Sequence, residues 1–525
     1  MTEQPTPAAS RATVADLAWG ATWPTAQTFR ELAADRRVVP VVRRLLADDV
    51  TPVGLYRTLA AGRPGTFVLE SAESDGTWGR WSFVGVASRA RLSVRDGRAA
   101  WSGDVPVGVP TEGDVLDVLG RTLEVLHTPG IEGLPPLTGG LVGALGWDVV
   151  RHWEPTLPAR APDELGIPEV ALLLASDLAA VDHVTGSVWL VANAINFDAT
   201  DERVDDAYAD AVRRLDDMQA ALRRPAPPAP AVVDPDAVVP ELEFRSTREE
   251  FEDAVVRGQE AIRDGEVFQV VLSQRLDLDC PAEPIDVYRV LRTINPSPYM
   301  YLLALQDADG HDFAVVGSSP ETLVKVSDGH VTTFPIAGSR PRGATPEEDR
   351  ALQDEVLADP KERAEHIMLV DLSRNDMTKV CEPTSVEVVE FMAVRRFSHI
   401  MHICSTVVGR LRSGATALQT FMATFPAGTL SGAPKPRAIE LIDELEPARR
   451  GVYGGTVGYF DFAGDMDMAI AIRTAVIRDG RASVQAGGGV VADSVPALEY
   501  EESRNKAAAA VRAVQLAARL RRDVP

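Results

Sequence analysis

The sequence predicts an α+β protein in which large antiparallel sheets are flanked by helices, and three observations lead there. Apolar, aromatic-bearing runs come in pairs around Gly/Asp/Ser turns, as in FVLESAESDGTWGRWSFVG at 67–85, the pattern of antiparallel strands joined by a loop. Helical stretches alternate with strands irregularly, without the even spacing of βαβ units. No internal repeat period is visible.

Taken in order, residues 1–22 are polar and Pro/Ala-rich and read as a mobile tail. A first domain at 23–221 continues from the 67–85 pair with two more strand-like runs, GLVGALGWDVV and GSVWLVANAI. Residues 222–240, LRRPAPPAPAVVDPDAVVP, carry six prolines and read as an extended linker. The second domain, 241–525, opens on a helix: Ser246 and Glu249 form a capping box, Phe251, Val255 and Ile262 follow at helical spacing, and Gly265 ends it. In the strand VFQVVLSQRLDLD that follows, Phe268, Val270 and Leu272 form a core face, and Gln269, Ser273 and Arg275 a polar one.

At 525 residues and 45 % hydrophobic content the chain can bury a large core. Its 53 basic and 77 acidic residues leave a net charge of −24, which repels nucleic acid and anionic membrane. The same field repels an anionic substrate, so such a substrate needs local cations or a metal. Cys280, Cys381 and Cys404 form no close pair, so no disulfide framework is expected and a reducing cytoplasm fits. The amino terminus has no export signature, and no run of apolar residues is long enough to span a bilayer.

The chemistry begins with two Glu-x-x-Glu segments, Glu362 and Glu365 in DPKERAEHIMLVDL, and Glu499 and Glu502 in PALEYEESRNKAAAAV. A spacing of three puts both carboxylates of a segment on one helical face, so two facing helices would offer four oxygen ligands, a set that suits Mg²⁺. A plainer reading stands beside it: Asp359, Pro360 and Glu362 fit a helix N-terminus, and Glu502 fits a surface pair with Lys506.

SSPETLV, PIAGSRPRG, SHIMHICSTVVG, FPAGTLSGAPKPRAIELI, GTVGYFDFAGDMDMAIAIRT and QAGGGVVADS accompany these segments, and in number and order they resemble the chorismate-utilising enzyme family over about 245–510. LESAESDGTWGRWSFVG and NPSPYMYLL narrow the likeness to the anthranilate synthase component I branch. Ser339 stands where threonine is usual, and Trp81 where tyrosine is usual.

The resemblance implies a four-layer α/β/β/α fold and a site laid out residue by residue. Glu365 and Glu502 bind Mg²⁺ directly, and Glu362 and Glu499 through water, the metal holding the ring carboxylate of chorismate. Tyr459 and Arg473 bind the enolpyruvyl carboxylate, with the amides of Gly487, Gly488 and Gly489 close by and Lys506 among the substrate-binding residues. Glu321 is the acid for the departing hydroxyl, His402 a candidate base for the later proton loss, and Thr429 a substrate contact.

Two further substrate-facing positions bear on the nucleophile. Gln269 stands where water-activating relatives have lysine, and Ala337 where aminodeoxychorismate synthases have a covalent lysine. Both point to direct attack by ammonia. None of the three cysteines lies in a Gly-x-Cys-x-Gly elbow, so ammonia is expected from a separate glutamine amidotransferase subunit in a hetero-oligomer. Glu70 and Ser71, with Asn295, Pro296, Ser297, Pro298, Tyr299 and Met300, resemble the family's tryptophan feedback site. The alternatives are aminodeoxychorismate synthase, a relative that stops at the aminated intermediate, and a catalytically silent tryptophan-binding homologue.

Overall fold

A computed structural model of the chain describes residue 14 and residues 17–72, 79–95, 97–396 and 400–522. Most of the expected tail, the turn expected across 73–78, and residues 397–399, which include the first two of SHIMHIC, lie outside the described residues.

The first half contributes helix α1 (Ala26–Ala33), strands β1 (Val38–Leu46), β2 (Thr66–Glu70), β3 (Trp81–Arg95), β4 (Gly140–Leu145), β5 (Val170–Asp182) and β6 (Ser187–Ile195), and helix α2 (Val204–Leu222). GLVGALGWDVV is a strand only as far as Leu145; Trp147–His152 is a 3-10 turn, entered where Trp147 N bonds to the Gly451 carbonyl.

The second half runs α3 (Arg248–Arg263), β7 (Gln269–Asp279), α4 (Pro284–Ile294), β8 (Tyr299–Gln306), β9 (Asp312–Ser319), β10 (Thr322–Ser327), β11 (Ile336–Pro341), α5 (Pro360–Thr378) and β12 (Ile400–Arg410). It closes with α6 (Lys435–Leu445), β13 (Thr456–Asp461), β14 (Met466–Ile470), β15 (Thr474–Arg478), β16 (Arg481–Val490) and α7 (Pro496–Ala517).

Every strand pairing among the described residues is antiparallel. One sheet runs β1–β6–β5–β3–β2–β8–β9–β15–β16–β7. A second leaves β5 through β4, β13, β14 and β10 toward β12 and β11. A core drawn from strands of both sheets, including Val142, Leu173, Trp189, Tyr301, Leu303 and Val457, lies between them. Helices α1, α2, α4 and α7 cover one outer face, α3 and α6 the other, which gives the four layers.

Strands from either side of the Pro-rich stretch pair directly, Glu70 opposite Met300 and Leu145 opposite Thr456. Residues 222–240 run along the surface as a strap, with the Pro227, Ala229 and Pro240 carbonyls accepting from Arg57, Arg289 and Gln515 and Val232–Val233 pairing with Leu520–Arg521.

The capping box of α3 lies one residue later than expected. Thr247 Oγ1 accepts from Glu250 N (3.2 Å), and the Glu250 carboxylate accepts from Thr247 N (2.9 Å). Ser246 and Glu249 satisfy the same sequence pattern, but Ser246 is buried under the helix start. The polar face of β7 is also not a solvent face: Gln269, Ser273 and Arg275 are buried, whereas Phe268, just before the strand, is exposed.

Candidate active site

The candidate residues converge where β7 and β16, the β11–β12 pair and the helical turn Gly428–Ser431 meet the N-terminal turns of α5 and α7. Asp359 caps α5, its carboxylate accepting from Lys361 N and Glu362 N at 2.9 and 3.3 Å, and Pro360 opens the helix. Glu362 and Glu365 then share one face. Glu362 lies against Gly338, where a methyl group would sit 3.2 Å from its Oε2, and Arg340 donates to it at 3.4 Å.

Burial pushes the Glu365 carboxyl above the usual carboxylate range and Glu362 pushes it further, against a hydrogen bond from Gln269 and the charges of Lys506 and Lys361. Burial likewise raises Glu499, aided by Glu502 and opposed by a bond from Ser494 and the same two lysines. Lys506 on α7 and Lys361 on α5 each act on a glutamate of both helices, so the two acidic faces oppose each other. Gly488 lies beneath Glu499 and Glu502: a methyl group there would be 3.0 Å from Glu499 Oε2 and 3.5 Å from Glu502 Oε1. The helix-surface pair also forms, with Lys506 Nζ 2.7 Å from Glu502 and 3.1 Å from the Gly487 carbonyl.

Four crowded carboxylates, two of them held above their ordinary range, are an oxygen-only donor set with surplus negative charge, which fits a hard divalent cation. Among the described residues a tighter acidic group, Asp307, Asp309 and His311, with candidate atoms within 4.8 Å of one another, lies at the β8–β9 turn. Asp307 there is taken up by the amides of Asp309 and His311 and by Arg478, and the turn is the end of the hairpin remote from Glu321.

Glu321 sits between β9 and β10 and accepts a hydrogen bond from Thr429 Oγ1 (3.1 Å). Burial raises its carboxyl, outweighing Thr429, Lys506 and Arg473. His402 on β12 donates from Nδ1 to the Gly338 carbonyl (3.2 Å), across a bulge that Gly338 permits with φ +70°. Burial, Arg473 and Lys506 hold the imidazole down to about 4, so it is neutral at pH 7, and in the Nδ1–H tautomer Nε2 is an acceptor. Arg473 has a left-handed backbone (φ +50°), and burial lowers its pKa while Glu321 opposes that. Glu321, His402, Arg473 and Lys506 therefore form one electrostatic unit. A cavity of about 60 Å³ adjoins Glu321 and Thr429.

Gly487, Gly488 and Gly489 form no turn; they lie in β16 opposite Ser273, Leu272 and Val271. A methyl group on Gly487 would meet the Leu272 carbonyl at 2.1 Å, and one on Gly489 the Gln269 carboxamide at 2.1 Å. Ala337 is buried on β11 opposite Ile403.

Tyr459 is a correction. It pairs with Asp467 and Val142 in β13, its phenol is influenced by Asp467, Asp461 and Asp465, and it packs in the core between the sheets. The tyrosine at the cleft is Tyr453, in the GVYGG turn: the Gly487 amide bonds to its phenol oxygen, and burial raises its pKa in a field that includes Arg450, Glu446 and Glu321. GVYGGTVGYF offers two tyrosines six apart, and the glycines around Tyr453, two of them at positive φ, were the available signal of a chain bent toward the site.

A buried network behind the cleft also escaped sequence reasoning. Arg450, 2 % exposed, binds Glu446 through Nε (2.9 Å) and Nη2 (2.6 Å), donates to the Leu430 and Val271 carbonyls (2.7 and 2.8 Å), and lies 4.3 Å from the centre of the Trp147 ring. Glu446 accepts from Ser273 N and Oγ at 2.9 and 2.7 Å.

The expected regulatory residues also come together. Glu70 is buried, receiving Tyr288 Oη (2.7 Å) and Arg292 (2.8 and 2.6 Å). Among the described residues Ser71 Oγ is buried without a hydrogen-bond partner, and the Ala72 amide bonds to the Ser297 carbonyl (3.1 Å). Asn295 and Ser297 both bond to Ser318 (2.8 and 2.9 Å), whose amide bonds to the Arg473 carbonyl (3.3 Å). Tyr299 accepts from Thr322, the neighbour of Glu321, and donates to Asp467 (2.9 and 2.8 Å).

Residues 67–512 match the family model described as chorismate binding enzyme. The component 1 of anthranilate synthase from Arthrobacter globiformis is 57 % identical over 504 residues, 96 % of this chain and 95 % of that protein. Its counterpart from Mycolicibacterium smegmatis is 56 % identical over 495 residues, 94 % of each. The crystal structure of anthranilate synthase component I from Streptococcus pneumoniae is 37 % identical, with TM-score 0.71 over 84 % of this chain and 93 % of that one. The menaquinone-specific isochorismate synthase of Escherichia coli, 18 % identical with TM-score 0.67 over 94 % of this chain and 100 % of its own, shares the fold.

Proposed function

The chain belongs to the chorismate-binding enzymes, in their anthranilate synthase component 1 branch, and on that premise we propose that its cleft converts chorismate and ammonia to anthranilate, pyruvate and water. The observation that carries the reading is the electrostatic unit: a carboxyl kept above its ordinary range, a neutral imidazole and two cations close enough to act on one another.

Glu362, Glu365, Glu499 and Glu502 would hold Mg²⁺, which when bound neutralises and orients the ring carboxylate of the substrate. Arg473 takes the enolpyruvyl carboxylate, with Tyr453 and the backbone of Gly487–Gly489 alongside. Glu321, protonated, gives its proton to the C4 hydroxyl, which leaves as water while ammonia attacks C2; Thr429 fixes the carboxyl for that transfer. His402 Nε2 then takes the C2 proton as the C–O bond to the enolpyruvyl group breaks; that group takes a proton from water at its methylene to become pyruvate, and the ammonium formed at C2 gives one back to the solvent. Gln269 is engaged with Glu365 and is no base, and Ala337 is no nucleophile, which supports direct attack by ammonia.

Ammonia comes from a separate glutamine amidotransferase subunit in a hetero-oligomer. Exposed apolar side chains near α5 and α7, Ile367 and Phe391 by the first and Val495 and Leu498 at the start of the second, are available to that subunit. Tryptophan binds at Glu70, Ser71 and 295–300, supported by the orphaned Ser71 Oγ, and reaches the cleft through Ser318–Arg473 and Tyr299–Thr322. Cys280, Cys381 and Cys404 are buried and, among the described residues, form no disulfide, which fits a cytoplasmic setting. Among the described residues no helix is long and apolar enough to cross a membrane.

The test incubates the isolated chain with chorismate, ammonium and Mg²⁺, with and without EDTA or tryptophan, reading anthranilate fluorescence and pyruvate. Equimolar products, abolished by EDTA and by tryptophan and absent when glutamine replaces ammonium, are expected. A non-aromatic aminated product without pyruvate would assign the cleft to a relative that stops earlier.

A further inference from the structure

Helices α5 and α7 bring the two acidic pairs to the cleft, but their first turns are held differently. Asp359 caps α5 with its own carboxylate. The cap residue of α7 is Val495, which has no hydrogen-bonding side chain, so the placement of Glu499 in that first turn depends on the segment before it.

That segment, 491–494, turns the chain from the end of β16 into α7. Ser494 closes it: its amide bonds to the Val491 carbonyl and its Oγ accepts from the Val491 amide, both at 3.1 Å. The same hydroxyl donates its proton to the Glu499 carboxylate, which one donor and two lone pairs allow. Asp493, beside it, lies 3.9 Å from Lys361 of α5, so the turn stands where the two acidic helices meet.

A buried carboxamide pins the turn from outside. Gln259 on α3, 6 % exposed, donates from Nε2 to the Ser494 carbonyl (2.8 Å) and the Ala492 carbonyl (3.1 Å), one acceptor for each amide hydrogen. Gly258 lets α3 come this close: a methyl group there would be 3.1 Å from Val270 Cγ1 and 3.6 Å from Val490 Cγ1 at the end of β16. Phe251 of the same helix meets the Tyr500 ring edge to face, 5.9 Å between centres, so α3 also braces α7 directly.

We propose, on the premise that the four glutamates hold the divalent cation, that Gln259 and Ser494 are positioning residues for it: Gln259 fixes the turn, and Ser494 aims Glu499 at the site it shares with Glu502. Groups that orient a metal-binding side chain in this way are worth about 10- to 100-fold in metal affinity.

The probe is Mn²⁺, which shares the oxygen preference of Mg²⁺, with the free ion counted by electron paramagnetic resonance in titrations of the full chain without substrate. Saturable binding is expected in the wild type, weakened in Glu502→Gln. Gln259→Met and Ser494→Ala should each bind Mn²⁺ about tenfold or more weakly, and Ser494→Thr, which keeps the hydroxyl, as the wild type does. In the ammonia-dependent assay the Mg²⁺ requirement of the two weakened chains should rise by the same factor, with kcat recovered at saturating Mg²⁺. Wild-type Mn²⁺ affinity in Gln259→Met and Ser494→Ala, whatever their thermal midpoints, would overturn the positioning role while the loss in Glu502→Gln left the cation site standing. Equal weakening in Ser494→Thr and Ser494→Ala would overturn the part given to the hydroxyl. No binding by the wild type, or full binding by Glu502→Gln, would overturn the cation site and this role with it.

Discussion

Replacing Arg450 by Met removes the cation that joins the two halves of the chain behind the cleft. Glu446, 7 % exposed, then keeps a buried carboxylate with Ser273 but without its counter-ion, and the Leu430 and Val271 carbonyls each lose a donor. Breaking one partner of a buried ion pair costs about 3–5 kcal/mol, and loss of the contact with the Trp147 ring adds about 0.5–1 kcal/mol. A fall of about 4 kcal/mol in unfolding free energy is therefore expected, read as a lower denaturation midpoint at constant m. Arg450 also anchors the residue after Thr429, so the Thr429–Glu321 hydrogen bond loosens and kcat/KM for chorismate falls about tenfold, the equivalent of one hydrogen bond of roughly 1.4 kcal/mol. The double variant Arg450→Met/Glu446→Gln removes the uncompensated charge and should regain part of the stability while leaving the rate low. A single variant less than 1 kcal/mol destabilised, or a double variant no more stable than the single, would refute this reasoning.

Three other outcomes follow from the same geometry. Turnover needs Glu321 protonated and His402 neutral, so kcat/KM should fall on the acid side near about 4, and on the basic side above the ordinary carboxylate range; Thr429→Val, which removes a donor to the Glu321 anion, should move the basic limb upward. Burial holds His366 down to about 4, so the unfolded chain binds a proton there below about 6.5 that the native chain refuses; between those values stability falls with acidification by about 1.4 kcal/mol per pH unit, a slope that His366→Gln should lack in parallel denaturation series. Ser71→Ala removes a buried, unpartnered hydroxyl, so the tryptophan concentration for half-inhibition should rise about three- to tenfold with the uninhibited rate unchanged.

The antiparallel architecture was legible because its signals are local: 67–85 carries its own pair of apolar runs about a Gly/Asp/Ser turn, and GSVWLVANAI its own apolar run. The interleaving of strands from both sides of 222–240 was not, since opposing Glu70 to Met300 or Leu145 to Thr456 is a long-range choice that no window of sequence contains. Overlapping patterns also blurred positions by one residue, as with Ser246/Glu249 and Thr247/Glu250 at the start of α3. At the site, Glu321, Thr429, His402 and Arg473 were identified through family motifs, and the structure brings them together. Tyr459 and Tyr453 share one motif, and strand pairing sends the first into the core while the turn carries the second to Gly487. Ser273 read only as one of a polar row, because its partner, Glu446, arrives from 173 positions away.

The account rests on α5 and α7 presenting one divalent-cation site to the same substrate that Glu321 and Arg473 hold. It is tested most directly by Mg²⁺ titrations of ammonia-dependent anthranilate formation in the wild type and in Glu365→Gln and Glu502→Gln chains. Each variant should show a Mg²⁺ requirement raised about 10- to 100-fold and a lowered maximal rate, with the fold intact by circular dichroism. Wild-type Mg²⁺ dependence and full activity in either variant would contradict the account.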